Sequence, residues 1–242
     1  DIGLDNLAVI TFSDPTIQPI AINGKPLKSI NQWANKLNAK YRSLLSDGQK
    51  TSKRLENIWR KRNNRVKDYL HQSTKRIVDE LIALNVVCVG IGKNEGWKDS
   101  INIGRKNNQK FVTIPHAQFI DMLTRKLEAV GIVVKVGEES YTSRASYLDW
   151  DIIPTYQPDR SEKPKFSGKR IKTKSYRSGD GSLLNADVNG SGNIGRKVIP
   201  NYFGEVLRAI IERDRGSVVA FPRRVNSFKT IKVKDMSGSA HV

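Results

Sequence analysis

The sequence predicts an α/β fold, a mixed sheet flanked by helices with a long helical pair inserted, and three observations carry that expectation. Short apolar runs of strand length open the chain; a helical periodicity in a strongly basic setting runs between residues 31 and 84; and a strand, a helix and a strand follow one another between residues 84 and 136. At 242 residues the chain suits one large domain with insertions and has ample material for a buried core.

Asp1 stands at what reads as the end of a strand, without an initiator Met, so upstream residues are expected. Residues 7–12 and 17–22 read as strands, and Asn23-Gly24 as a tight hairpin turn into a third at 26–30, giving three antiparallel strands. A helical pair follows over 31–84, broken near Ser46-Asp47-Gly48. Its second helix carries Leu55, Trp59, Val66, Tyr69, Ile77, Leu81 and Leu84 as an apolar packing stripe beneath a charged face. The apolar run 84–91, interrupted by Asn85, predicts a central strand buried on both faces, ended by Gly92-Lys93-Asn94-Glu95-Gly96. Ile114-Pro115 introduces a helix with Phe119, Ile120, Leu123 and Leu127 on one side, closed by Gly131, and 132–136 is the next strand. That order implies a right-handed crossover between parallel strands. Residues 144–177 read as a basic loop, Asp180-Gly181 as a turn, 183–187 as a return to the core, and 191–198 as a helix. Residues 217–242 form a basic tail, with a short strand at 218–221.

Charge points to a polyanionic partner. The chain has 42 Lys+Arg against 24 Asp+Glu, a net +18 and a pI near 10, which suits DNA or RNA and predicts binding that weakens steeply with salt. Between residues 36 and 76 there are 13 Lys/Arg against 3 Asp/Glu, and Arg60, Lys61, Arg62 and Arg65 on that helical face could follow a nucleic-acid backbone. Residues 160–177 add eight Lys/Arg against one Glu. No apolar stretch approaches the roughly 20 residues of a membrane span, so no membrane partner is expected. The single cysteine, Cys88, lies in an apolar run and reads as a core thiol; one cysteine leaves neither an internal disulfide nor a Cys-based zinc site.

Carboxylates supply the chemistry. Asp1 in Asp1-Ile2-Gly3 and Asp187 in Asn185-Ala186-Asp187-Val188-Asn189-Gly190 each read as a metal-binding group at a strand tip, and Glu138-Glu139 after the strand at 132–136 offers a third. Three such oxygens suit Mg²⁺ and phosphoryl transfer, which makes nucleic-acid cleavage the leading expectation. Ser143 and Arg144 could place or neutralise a phosphate, with a structural turn equally open for Ser143, and Asn189 and Asn193 could support the ligands.

Taken together, Glu139-Ser-Tyr-Thr-Ser-Arg-Ala-Ser, Phe166-Ser-Gly-Lys-Arg-Ile, Tyr176-Arg-Ser-Gly-Asp-Gly and Asn185-Ala-Asp-Val-Asn-Gly-Ser-Gly-Asn-Ile resemble the RuvC nuclease region of TnpB proteins. These are the OrfB proteins of small insertion sequences, related to type V CRISPR effectors and to Fanzor nucleases. The similarity runs in order from Asp1 to about Phe203. It implies an RNase H-like fold and RNA-guided DNA cleavage, with a guide RNA, target DNA and Mg²⁺, for which Mn²⁺ could substitute. Asp1 matches the first catalytic aspartate and Asp187 the last. The usual middle glutamate is absent, its place held by Gly92 and Lys93, and Glu139 matches the rearranged glutamate of some members, with Glu138 as the alternative. The implied mechanism is two-metal hydrolysis, Asp1 bridging both ions and Glu139 and Asp187 each completing one sphere. The implied nucleic-acid contacts are Arg60, Lys61, Arg62, Arg65, Arg144, Lys169, Arg170 and Arg177. No zinc is expected, since residues 145–149 carry no thiolate. The resemblance also implies a further N-terminal region of the same protein as an expected partner of this segment. The expected compartment is the prokaryotic cytoplasm at the nucleoid, or the nucleus in a eukaryote. A nuclease-inactive guided regulator and a transposase acting on its own element ends are the competing functions.

Overall fold

The computed structural model describes residues 1–93, 114–157, 159, 163–172 and 174–226. Strands β1 (Asn6–Ile10) and β2 (Ile20–Asn23) pair antiparallel, with Ile10 opposite Ile20 and Asn6 opposite Asn23. On the other edge of β1 the chain's first residues fold back: Ile2 bridges Ala8, and Val9 N–H donates to the Asp1 carbonyl at 2.8 Å.

The expected third strand is instead the start of helix α1 (Lys25–Arg42). Asn23-Gly24 is a strand-to-helix corner, because Pro26 sits in the first turn, where its missing N–H costs nothing, and Leu27, Asn31 and Ala34 bury one helical face. Helix α2 (Lys53–Ala83) starts on Ser52, whose hydroxyl accepts from Leu55 N–H at 3.3 Å. The two form the expected pair, and Leu55, Val66, Tyr69, Ile77 and Leu81 are buried. Trp59 and Leu84 depart from the expected stripe, each 37% exposed.

Strand β3 (Cys88–Gly92), helix α3 (His116–Glu128) and strand β4 (Val133–Gly137) follow, with β3 and β4 parallel in register from Cys88–Val133 to Gly92–Gly137. The strand–helix–strand reading holds. Burial of the first of these strands on both faces does not: Val87 is exposed and Cys88 is only half-buried. An apolar run cannot separate a two-sided strand from one whose second face meets solvent.

The stretch expected to be a basic loop contains two strands, β5 (Lys169–Lys172) and β6 (Ser175–Arg177), which form an antiparallel meander with β7 (Leu183–Asn185). Outward cations hide the alternation here, and only Tyr176, 1% exposed, marks the inner face. Helix α4 (Ala186–Val198) begins directly after β7, five residues before the expected start. The side chain of Asn185 caps it, accepting from Asp187 N–H at 2.9 Å and Val188 N–H at 3.2 Å. Asp187 therefore lies in a helix's first turn and not at a strand tip. Helix α5 (Glu205–Arg213) and a short 3₁₀ turn (Arg215–Ser217) lead to β8 (Arg223–Val225), which joins β2 in parallel. Part of the expected tail thus completes the first sheet, displaced from the strand expected at 218–221, and Arg223 ion-pairs with Glu80 of α2 at 2.5 Å.

The strands form three small sheets, ordered β1-β2-β8, β3-β4 and β5-β6-β7. Alternation along the opening strands divides two cores: Ala8, Ile20 and Ile22 face α2 and α3, while Val9 and Ala21 pack with Tyr147, Val188, Ile199 and Phe203. An apolar cleft of about 240 Å³ lies between β1 and β3, bounded by Ile10, Phe12, Cys88 and Val89 and reaching Asp1. No helix among the described residues is long and apolar enough to cross a membrane.

Candidate functional site

Helix α4 organises the site. It is almost wholly buried and holds glycines at 190, 192 and 195, which lets neighbours approach its backbone. A Cβ at Gly190 would sit 3.1 Å from Asp1 Oδ2, and one at Gly192 would sit 2.6 Å from the Tyr147 ring. Ser191 ties the helix to β1, donating from Oγ to the Val9 carbonyl at 3.0 Å. One turn before Gly190, Asp187 accepts from Asn6 Nδ2 at 2.8 Å and from Arg170 Nη2 at 3.3 Å. Asp1 thus meets α4 one turn beyond the turn that carries Asp187.

The third carboxylate arrives on the turn after β4. Asn189 and Asn193 pin that turn to α4: Asn189 accepts from Tyr147 N–H and donates to the Ala145 carbonyl, while Asn193 donates to the carbonyls of Thr142 and Ala145. Thr142 closes the loop by donating from Oγ1 to the Glu139 carbonyl at 2.8 Å. Tyr141 lies within it at φ +65°, a left-handed conformation uncommon for an aromatic residue, maintained here by the surrounding bonds.

Glu138 and Glu139 have different environments. Glu138 is ion-paired with Lys197 and accepts from Ser140 N–H at 2.5 Å; burial acts to raise its carboxyl, but these bonds outweigh it and hold the group low. Glu139 points to β3, and any side chain at Gly92 would collide with its carboxylate. Burial pushes the Glu139 carboxyl up, and Glu138 adds to the rise. The Asp1 backbone nitrogen donates to the Val9 carbonyl at 3.0 Å, and Glu139 and Asp187 lie close enough to act on it electrostatically. The three segments therefore meet within electrostatic reach. Among the described residues, however, no three His, Cys, Asp or Glu side chains are arranged to hold a metal ion. Asp187 has both oxygens turned to Asn6 and Arg170. The donor set itself, three carboxylates, has the hard-oxygen chemistry of Mg²⁺ or Mn²⁺.

The expected phosphate contacts fall in two places. Outside α2, Arg144, Lys169, Arg170 and Arg177 are exposed, and Arg170 reaches Asp187; Tyr176 Oη donates to the Arg144 carbonyl at 2.8 Å, and Arg144 lies against the Phe166 ring. On α2, Arg60 and Lys61 are exposed, Arg65 stacks on Trp33 at 4.5 Å, and Arg62 departs from the outward face: it is half-buried, with Nε donating to Asn31 Oδ1 at 2.8 Å. Sequence reasoning missed Asn6 and Lys197, which engage Asp187 and Glu138; neither lies in a recognisable motif. The Asn-Gly-Ser-Gly-Asn run did carry a signal of close backbone approach.

Comparison with known proteins agrees with this picture. Residues 1–98 match the OrfB_IS605 family, described as a probable transposase. No curated protein matches the chain. Among solved structures, Cas12f1, determined in a complex with single guide RNA and target DNA, is similar at a TM-score of 0.54 and 19% identity, covering 80% of this chain. The chain spans about half of that protein, 47% of its length, and at this identity the likeness speaks for the fold.

Proposed function

Starting from a relative of the OrfB_IS605 transposases, we propose that this chain is the RuvC-like, RNase H-fold nuclease part of an RNA-guided DNA endonuclease of a transposable element. It hydrolyses DNA phosphodiester bonds with Mg²⁺ held by Asp1, Glu139 and Asp187. The observation that carries this reading is the exclusion between Glu139 and a side chain at position 92. The family's usual glutamate follows the strand that ends at Gly92, and Glu139 reaches the same volume from the neighbouring strand, so a shifted origin can deliver the same carboxylate.

Each residue's part follows from its contacts. Asp1 and Asp187 approach along α4 and Glu139 from β4, with Asn189 and Asn193 fixing the turn that presents it. Glu138 is held in an ion pair with Lys197, and Glu139 is the glutamate assigned to the metal. Arg170 neutralises Asp187 and would transfer to a phosphate oxygen when DNA arrives; Arg144, also exposed, would take a second. Bound among the carboxylates, Mg²⁺ would activate water and stabilise the departing 3′ oxygen. Guide RNA and target DNA as partners are supported by the +18 charge and by the company Cas12f1 keeps.

The test is cleavage of labelled DNA with Mg²⁺ by the full-length protein with its guide RNA. Glu139→Gln should abolish cutting while DNA binding survives, and Glu138→Gln should retain it. Cutting by Glu139→Gln at the unmutated rate would refute the site. A second reading has one observation in its favour, the engagement of both Asp187 oxygens by Asn6 and Arg170: the chain is then a nuclease-inactive guided regulator, and the unmutated protein binds its target without cutting.

A further inference from the structure

The helical pair carries a feature that carboxylate chemistry does not use. Beside the fully buried Tyr69, three aromatic rings lie along α1 and α2, none of them fully buried. Two are covered by guanidinium groups, Tyr41 by Arg54 at 4.2 Å and Trp33 by Arg65 at 4.5 Å. Among the described residues no cation covers the third, Trp59, which is 37% exposed and lines a cleft of about 530 Å³ between the helices. The ring is held in place, its Nε1–H donating to Asn38 Oδ1 at 3.3 Å.

The rest of the cleft has a matching chemistry. Arg42, Lys50 and Arg60 line it against a single carboxylate, Glu56, so it favours an anion. Asn63 and Asn64 add amide groups on the α2 side. Its volume falls in the roughly 300–1,000 Å³ range of small-ligand clefts. A fixed aromatic face, a surplus of cations and adjacent amides are the requirements of one nucleotide: base on ring, phosphate on Arg or Lys, base edge on Asn.

We propose that the Trp59 cleft binds one unstacked nucleotide of a single-stranded nucleic acid. The proposal rests on the nucleic-acid reading above but not on the nuclease activity. It gives the basic helical face a discrete anchor as well as diffuse charge. Duplex bases, stacked on each other, cannot enter, so the cleft discriminates single strands from duplex.

The test measures fluorescence anisotropy of the protein with a labelled single-stranded RNA, the matching DNA, the same strands with one abasic position in place of each base in turn, and the duplex. Trp59→Ala should weaken binding of the intact single strand by about 5- to 150-fold, the range of base–aromatic stacking. Trp59→Phe should stay within a few-fold, and on the unmutated protein one abasic position should reproduce the Trp59→Ala loss. A stronger effect on RNA than on DNA identifies the strand that supplies the base. Equal binding of intact and abasic strands by the unmutated protein, or equal binding by Trp59→Ala and the unmutated protein, overturns the cleft and leaves the nucleic-acid reading standing. No binding of any strand overturns both. The abasic arm needs no mutant, so it decides even if Trp59→Ala fails to fold.

Discussion

At the scale of single residues, Gly92 and Glu139 compete for one volume, and the competition runs both ways. Gly92→Glu alone should destabilise the fold, because Ile194 as well as Glu139 stands where its Cβ would go. In the full-length guided protein, Glu139→Gly alone should lose cutting by more than the roughly 10- to 100-fold that removing an outer-shell partner costs. Joining the two changes should recover part of that loss, as read by cleavage of labelled DNA; no recovery in a folded double variant would mean that position 92 cannot present a carboxylate to the site. Asp180 offers a pH reading. Hydrogen bonds from Ser178 and Ser182 lower its pKa from 3.8 to about 2, and Arg215 contributes. The folded form therefore favours the charged state, and the stability this provides is complete above about pH 4 and lost as pH falls through 2. Thermal melts of Asp180→Asn against the unmutated protein should differ near neutrality and converge in acid. Asp1, Glu139 and Asp187 could be singled out in the sequence as candidates because each stands in a motif that resembles the family's. The partners of Asp187 and Glu138 were not, since a hydrogen bond between residues 181 apart, Asn6 to Asp187, leaves no local trace.

Elements show why some boundaries moved. Asn23-Gly24 reads as a hairpin turn, but Pro26 suits a helix's first turn as well as a strand's start, and the buried spacing of Leu27, Asn31 and Ala34 decided for the helix. The strands β5 and β6 were hidden because alternation of apolar and polar residues fails where nearly every position is polar. Helix α4 was read too short, since its glycines look like loop residues until Tyr147 and Phe203 are seen pressed against them. Gly192→Ala separates the two views. An exposed helix would gain up to about 1 kcal/mol from the change. With Tyr147 2.6 Å from the new Cβ, it should instead lose about 1–3 kcal/mol, read as a Tm lowered by several degrees.

For the whole molecule, the α/β class, the inserted helical pair and the parallel crossover were all readable, because long periodic segments report burial directly. The division into three small sheets was not, since sheet order depends on edges that sequence does not label. Among the described residues β1 and β3 share no ladder, and the apolar cleft between them has a strand on either wall. Cys88, the sole thiol of the chain, stands on one of those walls. The cleft thus carries its own chemical reporter: any segment that settles between the two strands should slow alkylation of the half-buried Cys88 by a bulky maleimide and register its arrival without a label elsewhere on the protein.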